Sequence, residues 1–126
     1  MNVLIVDDEL LLLRSLRRTL VRAGHQVALA TNGCEALAAL AGADFDVVLT
    51  DVRMPEMDGL ELAHRLARLQ PALPLLFMSG HAEASDRELL ELEPLGVFEK
   101  PLDEGRLIRV LASLEEGREP TQSVAF

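Results

Sequence analysis

Residues 45–61 read FDVVLTDVRMPEMDGLE, and this stretch contains one complete strand-to-helix unit. The run from Phe45 to Thr50 is predominantly apolar, which is typical of a parallel strand that is covered on both faces. The run stops at Asp51, and Asp58 then offers a side-chain cap for a following helix. We therefore interpret the stretch as a buried strand, a loop and a helix, with a carboxylate where the strand ends.

Units of this kind repeat along the chain. Short apolar runs predict strands over residues 2–6, 26–30, 45–50, 74–79 and 97–99. Helical spacing of apolar residues and capping residues predict helices over 10–23, from 32 to about 40, after 58, over about 83–92 and from 103 to about 114. This alternation favours an α/β fold with a parallel, doubly wound sheet.

Composition limits the classes of function. The chain has 126 residues, enough for one domain with its own core, and a net charge of −9, which opposes direct binding to nucleic acid. No apolar run reaches the roughly 18 residues of a membrane span, and no signal peptide is predicted. Since no span is predicted, we expect no membrane association. Cys34 is the single cysteine and cannot form an internal disulfide, which favours a reducing compartment, so we expect a cytoplasmic location.

The C-terminal segment differs from the rest of the chain because it loses the apolar periodicity. We expect a folded domain over residues 1–115, followed by a tail or linker stub without stable structure over 116–126.

Polar and charged residues end the predicted strands. In doubly wound sheets, functional groups gather at the carboxyl ends of the strands, so residues that are distant in sequence come to share one edge. The strand ends carry Asp7, Asp8, Glu9, Asp51, Ser79 and Lys100.

This set has the chemistry of an aspartyl-phosphate site. Clustered carboxylates repel one another, and Mg²⁺ removes that repulsion because it prefers oxygen ligands, here two acids, a backbone carbonyl near Arg53, waters and a phosphoryl oxygen. The ammonium of Lys100 and the hydroxyl of Ser79 can contact a phosphoryl group. We therefore interpret Asp51 as the nucleophile that becomes phosphorylated.

The chain resembles the receiver domain of bacterial two-component response regulators. The segments that carry the resemblance are VLIVDDE, VVLTDVRMPEMDGLEL, LLFMSGHAE and FEKPLD, which together spread over residues 2–114. The resemblance implies a flavodoxin-like receiver fold with three layers, in which five helices cover a five-stranded parallel sheet of order 2-1-3-4-5.

The resemblance also assigns roles to residues. The implied metal ligands are Asp7, Asp8, Asp51 and the carbonyl of Arg53, with Mg²⁺ as the cofactor. The implied participants in phosphoryl transfer are Asp51 as phosphoacceptor, Ser79 as the switch hydroxyl and Lys100. The peptide bond before Pro101 is expected to be cis, as is usual in this family.

Two further predictions concern tuning of the switch. Arg53 and His81 stand where receivers carry residues that set the lifetime of the phosphoryl group, although a solvated pair is an equal alternative. Receivers usually carry an aromatic residue three positions before the lysine, but that position is Val97 here. Either the neighbouring Phe98 is the equivalent, which we take as the prediction, or the aromatic switch is absent.

The resemblance implies a phosphoacceptor switch rather than an enzyme, apart from self-phosphorylation and self-dephosphorylation at Asp51. The implied phosphodonor is a histidine kinase or a histidine phosphotransfer protein. The face formed by the fourth helix, fifth strand and fifth helix would change its affinity for partners and could also support a homodimer. The chain could be a stand-alone regulator or a receiver cut from a longer protein.

Three alternatives are weaker. A phosphorylation-independent docking module is disfavoured because the key residues are all present. An aspartyl-phosphate hydrolase usually needs an acid two residues after the nucleophile, where this chain has Arg53, which cannot donate a proton at neutral pH. A flavin carrier is disfavoured because the acids that follow the first strand would repel its phosphate.

Overall fold

The computed structural model describes residues 1–80 and 87–117. Its strands are β1 Asn2–Val6, β2 Gln26–Ala30, β3 Val47–Asp51, β4 Leu75–Ser79 and β5 Gly96–Glu99. Its helices are α1 Leu10–Arg22, α2 Gly33–Gly42, α3 Gly59–Leu69, α4 Arg87–Glu91 and α5 Glu104–Glu115.

The five strands form one parallel sheet of order β2-β1-β3-β4-β5. The interior strand β1 pairs with β2 and β3, so Ile5 lies opposite both Leu29 and Leu49. The predicted α/β fold, strand order and five helices are confirmed. The sheet brings the carboxyl ends of β1, β3 and β4 side by side.

Two helix layers cover the sheet because successive residues of a strand point to opposite faces. On one face, α1 and α5 pack against residues such as Val3 and Ile5 of β1. On the other face, α2 and α3 pack against Leu4 and Val6, and α3 and α4 pack against Phe77 of β4. This explains why the strands are apolar at nearly every position.

Side-chain caps fix where three helices begin. The carboxamide of Asn32 accepts a hydrogen bond from the Glu35 amide at 2.9 Å. The carboxylates of Asp58 and Asp103 cap α3 and α5 in the same way. The cap at Asp58 and the helix starts at residues 32 and 103 agree with the predictions from the sequence.

The end of β3 differs from the predicted boundary. The sequence predicts a strand over 45–50, whereas β3 begins at Val47 and includes Asp51. The strand continues because Asp51 pairs with Met78 of β4, and the Val52 amide donates to the Met78 carbonyl at 3.1 Å. The carboxylate of Asp51 is therefore held by the sheet rather than by a loop.

Parts of two predictions lie outside the described residues. The predicted start of the fourth helix near residue 83 is one of them. The predicted tail is described only at Glu116 and Gly117, so the absence of stable structure over 116–126 stays a prediction. Across residues 1–80 and 87–117, none of the helices has the length and apolar character that a membrane crossing requires.

Candidate functional site

Three aspartates meet at the carboxyl edge of the sheet. Asp7 follows β1 and is fully buried, Asp51 ends β3 and is 7% exposed, and Asp8 is exposed beside Asp7. One carboxylate oxygen from each of the three lies within 4.8 Å of the others. This all-oxygen arrangement, open to solvent at Asp8, suits a hard divalent cation.

Lys100 connects the acids of the first and third strands. Its ammonium donates to Asp7 Oδ2 at 2.9 Å and to Asp51 Oδ2 at 3.2 Å, and it lies 3.4 Å from Glu9 Oε1. The lysine reaches these acids from the end of β5, followed by the predicted cis bond to Pro101. One positive charge is thus shared among several carboxylates.

The positive charge of Lys100 does not offset the burial of Asp51 and its repulsion by Asp7. Burial raises the pKa of Asp51, the charge of Asp7 raises it further, and Lys100 and the Val52 amide lower it, leaving a pKa of about 6. Burial also raises the pKa of Asp7. Burial lowers the pKa of Lys100, but its contacts with Asp7 and Asp51 outweigh burial and raise it. A further positive charge at this site would favour the ionised form of Asp51.

Ser79 contributes a buried hydroxyl to the same edge. Ser79 ends β4, one position beyond the partner of Asp51 in the ladder, and is fully buried. Within the described residues its Oγ has no hydrogen-bond partner. An unsatisfied buried hydroxyl costs roughly 1–3 kcal/mol, so a group that accepts its hydrogen bond would be bound favourably.

The loop between β3 and α3 is held tightly against Asp51. The Gly59 amide donates to the Val52 carbonyl at 2.9 Å, and a Cβ atom on Gly59 would lie 1.9 Å from the Asp51 carbonyl oxygen. Only glycine permits this approach. Arg53 is exposed in this loop, and its guanidinium lies 3.4 Å from Asp58 Oδ2 at the start of α3.

The structure does not bring Phe98 to the layer that contains α4. Phe98 is 1% exposed and packs in the α1 and α5 layer, because the strand turns alternate residues to opposite faces. Val97 points into the opposite layer, where it packs with Phe77 and Leu89 of α4. The aromatic ring beside α4 therefore comes from β4, at the position that pairs with Val97.

The remaining predicted residue, His81, lies outside the described residues. Sequence analysis did not predict the contacts of two further residues, Glu9 and Gly59. Glu9 was noted at the end of the first strand, but only the structure shows that its carboxylate is near Lys100. Gly59 carries a weak signal, a glycine directly after a capping aspartate, which does not predict its contact with Asp51.

Comparison with known families shows to which family this fold belongs. The family model of the response regulator receiver domain matches residues 3–112. This chain belongs to the response regulator receiver domain family.

Relatives of this receiver domain are longer proteins. It is 34% identical over 120 residues to the transcriptional regulatory protein FixJ of Bradyrhizobium diazoefficiens, a match that covers 94% of this chain and 58% of that protein. It is 39% identical over 111 residues to the transcriptional regulatory protein ZraR of Salmonella typhimurium, covering 87% of this chain and 25% of that protein. The receiver domain thus spans only part of the length of these curated relatives.

A solved structure shares the fold of this receiver domain. A CheY-like receiver domain protein of Methanospirillum hungatei is 28% identical, with a TM-score of 0.79 over 92% of this chain and 91% of that one. The site of this receiver domain is accordingly consistent with a phosphoacceptor switch.

Proposed function

We propose that this receiver domain is a Mg²⁺-dependent phosphoacceptor switch in which Asp51 receives a phosphoryl group from a phosphohistidine. The proposal rests on the environment of the Asp51 carboxylate. Its carboxylate is nearly buried at the end of β3, 3.2 Å from the Lys100 ammonium and within reach of Asp7 and Asp8. A nucleophile and the charges that would stabilise a transferring phosphoryl group are therefore in one place.

In the proposed transfer, an Asp51 carboxylate oxygen attacks phosphorus, the P–N bond of the phosphohistidine breaks, and the imidazole leaves with the bonding electron pair. The ammonium of Lys100 would then contact the phosphoryl oxygens. The hydroxyl of Ser79 would donate to one of them and gain the partner that it lacks among the described residues. This gain would favour a state in which the end of β4 is drawn toward the phosphoryl group.

Asp7, Asp8, Asp51 and the carbonyl of Arg53 would hold Mg²⁺. Bound there, the ion would supply positive charge to the phosphoryl oxygens. The donor set fits, because it consists of oxygen atoms and because one carboxylate oxygen from each of the three aspartates lies within 4.8 Å of the others. We also propose that Arg53 and His81 tune the lifetime of the phosphoryl group.

The proposed donor is a histidine kinase or a histidine phosphotransfer protein, and the proposed location is the cytoplasm. The face of α4, β5 and α5 would carry the response to partners, including a second copy. Two relatives are named as transcriptional regulators, and this receiver domain matches 58% and 25% of their lengths. Any contact with DNA would come from segments other than this acidic domain, and enzymatic activity other than at Asp51 is not proposed.

The test is the intact mass of the protein after incubation with acetyl phosphate and Mg²⁺. We expect one added phosphoryl group, absent from Asp51→Asn and from samples with EDTA. Asp44→Asn removes an exposed aspartate that precedes β3, at the end of the strand opposite Asp51, and should be phosphorylated normally. If neither acetyl phosphate nor a phosphohistidine protein adds mass to the unmodified chain, the phosphoacceptor proposal fails and the docking module takes its place.

A further inference from the structure

An apolar groove lies at the edge of the sheet opposite the acidic site. It has a volume of about 470 Å³ and is formed by the C-terminal ends of α3, α4 and α5 and by the residues that precede β4 and β5. Five half-buried leucines line it: Leu73, Leu75, Leu92, Leu95 and Leu114. The groove is therefore mainly an apolar surface, with Glu93 as a charge at its rim.

The leucines that line the groove belong to different hydrophobic clusters of the core. Leu95 and Leu114 pack against the layer of α1 and α5, and Leu73 packs against the layer of α2 and α3. Leu92 packs against the cluster that contains α4. A concave apolar surface in contact with water is unfavourable, and such surfaces mark sites where another apolar segment binds.

The chain itself leads into this groove. Leu114, in the last turn of α5, and Gly117 both line it. Gly117 has a φ of 76°, and its amide donates to the Leu114 carbonyl at 3.0 Å, which ends the helix in a tight turn. The last described residue, Gly117, is therefore at the wall of the groove.

The sequence of the segment that follows Gly117 fits the groove. Residues 118–126 read REPTQSVAF, a polar stretch followed by the apolar residues Val124, Ala125 and Phe126. At about 3.3–3.6 Å per residue, nine residues reach roughly 30 Å, so the apolar part can return to a groove beside which the segment begins. Arg118 has the charge opposite to that of Glu93 at the rim.

We propose that Val124, Ala125 and Phe126 of this chain occupy the groove, with the Phe126 ring between Leu92, Leu95 and Leu114. This docking would replace the unstructured tail that sequence periodicity suggests. It would also join the C-terminal segment to the end of α4 and the start of β5. The inference does not depend on the chemistry at Asp51.

The test is NMR of the full 126-residue chain with labelled leucine methyl groups. We expect NOEs from the Phe126 ring to methyl groups of Leu92, Leu95 or Leu114, and ring-current shifts of those methyls. Phe126→Ser should abolish both, whereas the control Gln122→Ser, in the polar part of the same segment, should leave both unchanged. Methyl spectra of Phe126→Ser that are identical to those of the unmodified chain would overturn the proposal.

A second pair of variants tests the groove from its other wall. Ala72 is exposed and lines the groove, so Ala72→Glu places a charge where the ring would bind. Ala112→Glu places the same charge on an exposed position of α5 that is not among the lining residues. Loss of the NOEs in the first variant alone supports docking, and their persistence in both contradicts it. NOEs that appear only between differently labelled copies would assign the groove to a second molecule and overturn the proposal.

Discussion

At the level of single residues, Lys100 offsets part of the negative charge of the acidic site, but not all of it. Its ammonium contacts Asp7 and Asp51 and lies near Glu9. Two unit charges about 4 Å apart interact by about 4 kcal/mol at an effective dielectric constant of 20, so attraction by one lysine and repulsion between neighbouring acids are of similar size. Burial then decides the balance, and the pKa of Asp51 is raised to about 6.

The raised pKa of Asp51 predicts how stability depends on pH. An acid with a raised pKa binds more protons in the folded than in the unfolded state between about pH 4 and 6, so its contribution to the free energy of unfolding falls as pH rises through this window. Without divalent ions, we expect Asp51→Asn to be more stable than the unmodified chain by about 1–3 kcal/mol at pH 7.5. The difference should shrink as the pH falls toward 4.

Urea unfolding in EDTA at several pH values measures this difference. Asp44→Asn, at an exposed position, serves as the control and should show no such pH-dependent gain. A stability gain of Asp51→Asn that is constant from pH 4 to 7.5 would contradict the pKa assignment.

Replacing Lys100 tests the sharing of its charge. Lys100→Met leaves Asp7 and Asp51 without their cation, so the free energy of unfolding in EDTA should fall by about 1–3 kcal/mol. Mg²⁺ should bind this variant more tightly, because it no longer competes with the ammonium for the carboxylates. Calorimetric titration with Mg²⁺ measures the affinity, and Arg14→Met, at an exposed position on α1, is the matched control. Equal or weaker binding in Lys100→Met would argue against the competition.

At the level of elements, the junction of β3 and α3 positions the site. The sequence predicts both elements well, because an apolar run and the capping residue Asp58 are local signals. It does not predict that Asp51 stays in the sheet, since that depends on pairing with β4. The side on which Phe98 lies was also beyond the sequence, because a shift of one residue in a strand reverses the face that a side chain occupies.

Gly59 gives the element-level prediction. In Gly59→Ala the new Cβ would overlap the Asp51 carbonyl, so the start of α3 must move. We expect a loss of about 1–3 kcal/mol or more in stability and slower phosphorylation. Gly42→Ala is the control, since an added Cβ at the end of α2 meets no atom within 4 Å, and a change of about +0.4–1 kcal/mol is expected. Urea unfolding of both variants measures the contrast, and equal stabilities would refute the close approach.

At the level of the whole molecule, the site exists because the sheet order places three strand ends together. The alternation of elements indicates a parallel sheet, but the order 2-1-3-4-5 came from the family resemblance rather than from any local pattern. The distances between Lys100 and its three acids could not be predicted, because they depend on how residues about 50 to 90 positions apart pack. The residue types at the strand ends were sufficient to predict the kind of chemistry.

Metal binding should stabilise the whole domain. Because an ion that binds only the folded state adds RT ln(1 + [L]/Kd), Mg²⁺ at 100 times its Kd should add about 2.7 kcal/mol and raise Tm. Asp8→Asn removes an exposed carboxylate of the proposed ligand set and should lose most of this increase. Thermal unfolding with Mg²⁺ or with NaCl of equal ionic strength makes the comparison. The same rise in Tm for both proteins would exclude Asp8 as a ligand.

Lys100 is the only lysine in the chain, and apart from the three histidines every other basic side chain is an arginine. The acidic site therefore contains the single side-chain primary amine of the protein. Biosynthetic incorporation of ¹⁵N-labelled lysine would give one ammonium signal, located beside Asp51 and free of overlap from any other residue. Because this signal comes from the site itself, it should respond to the change in charge when Asp51 is phosphorylated. The course of a phosphorylation reaction could therefore be followed from a single resonance.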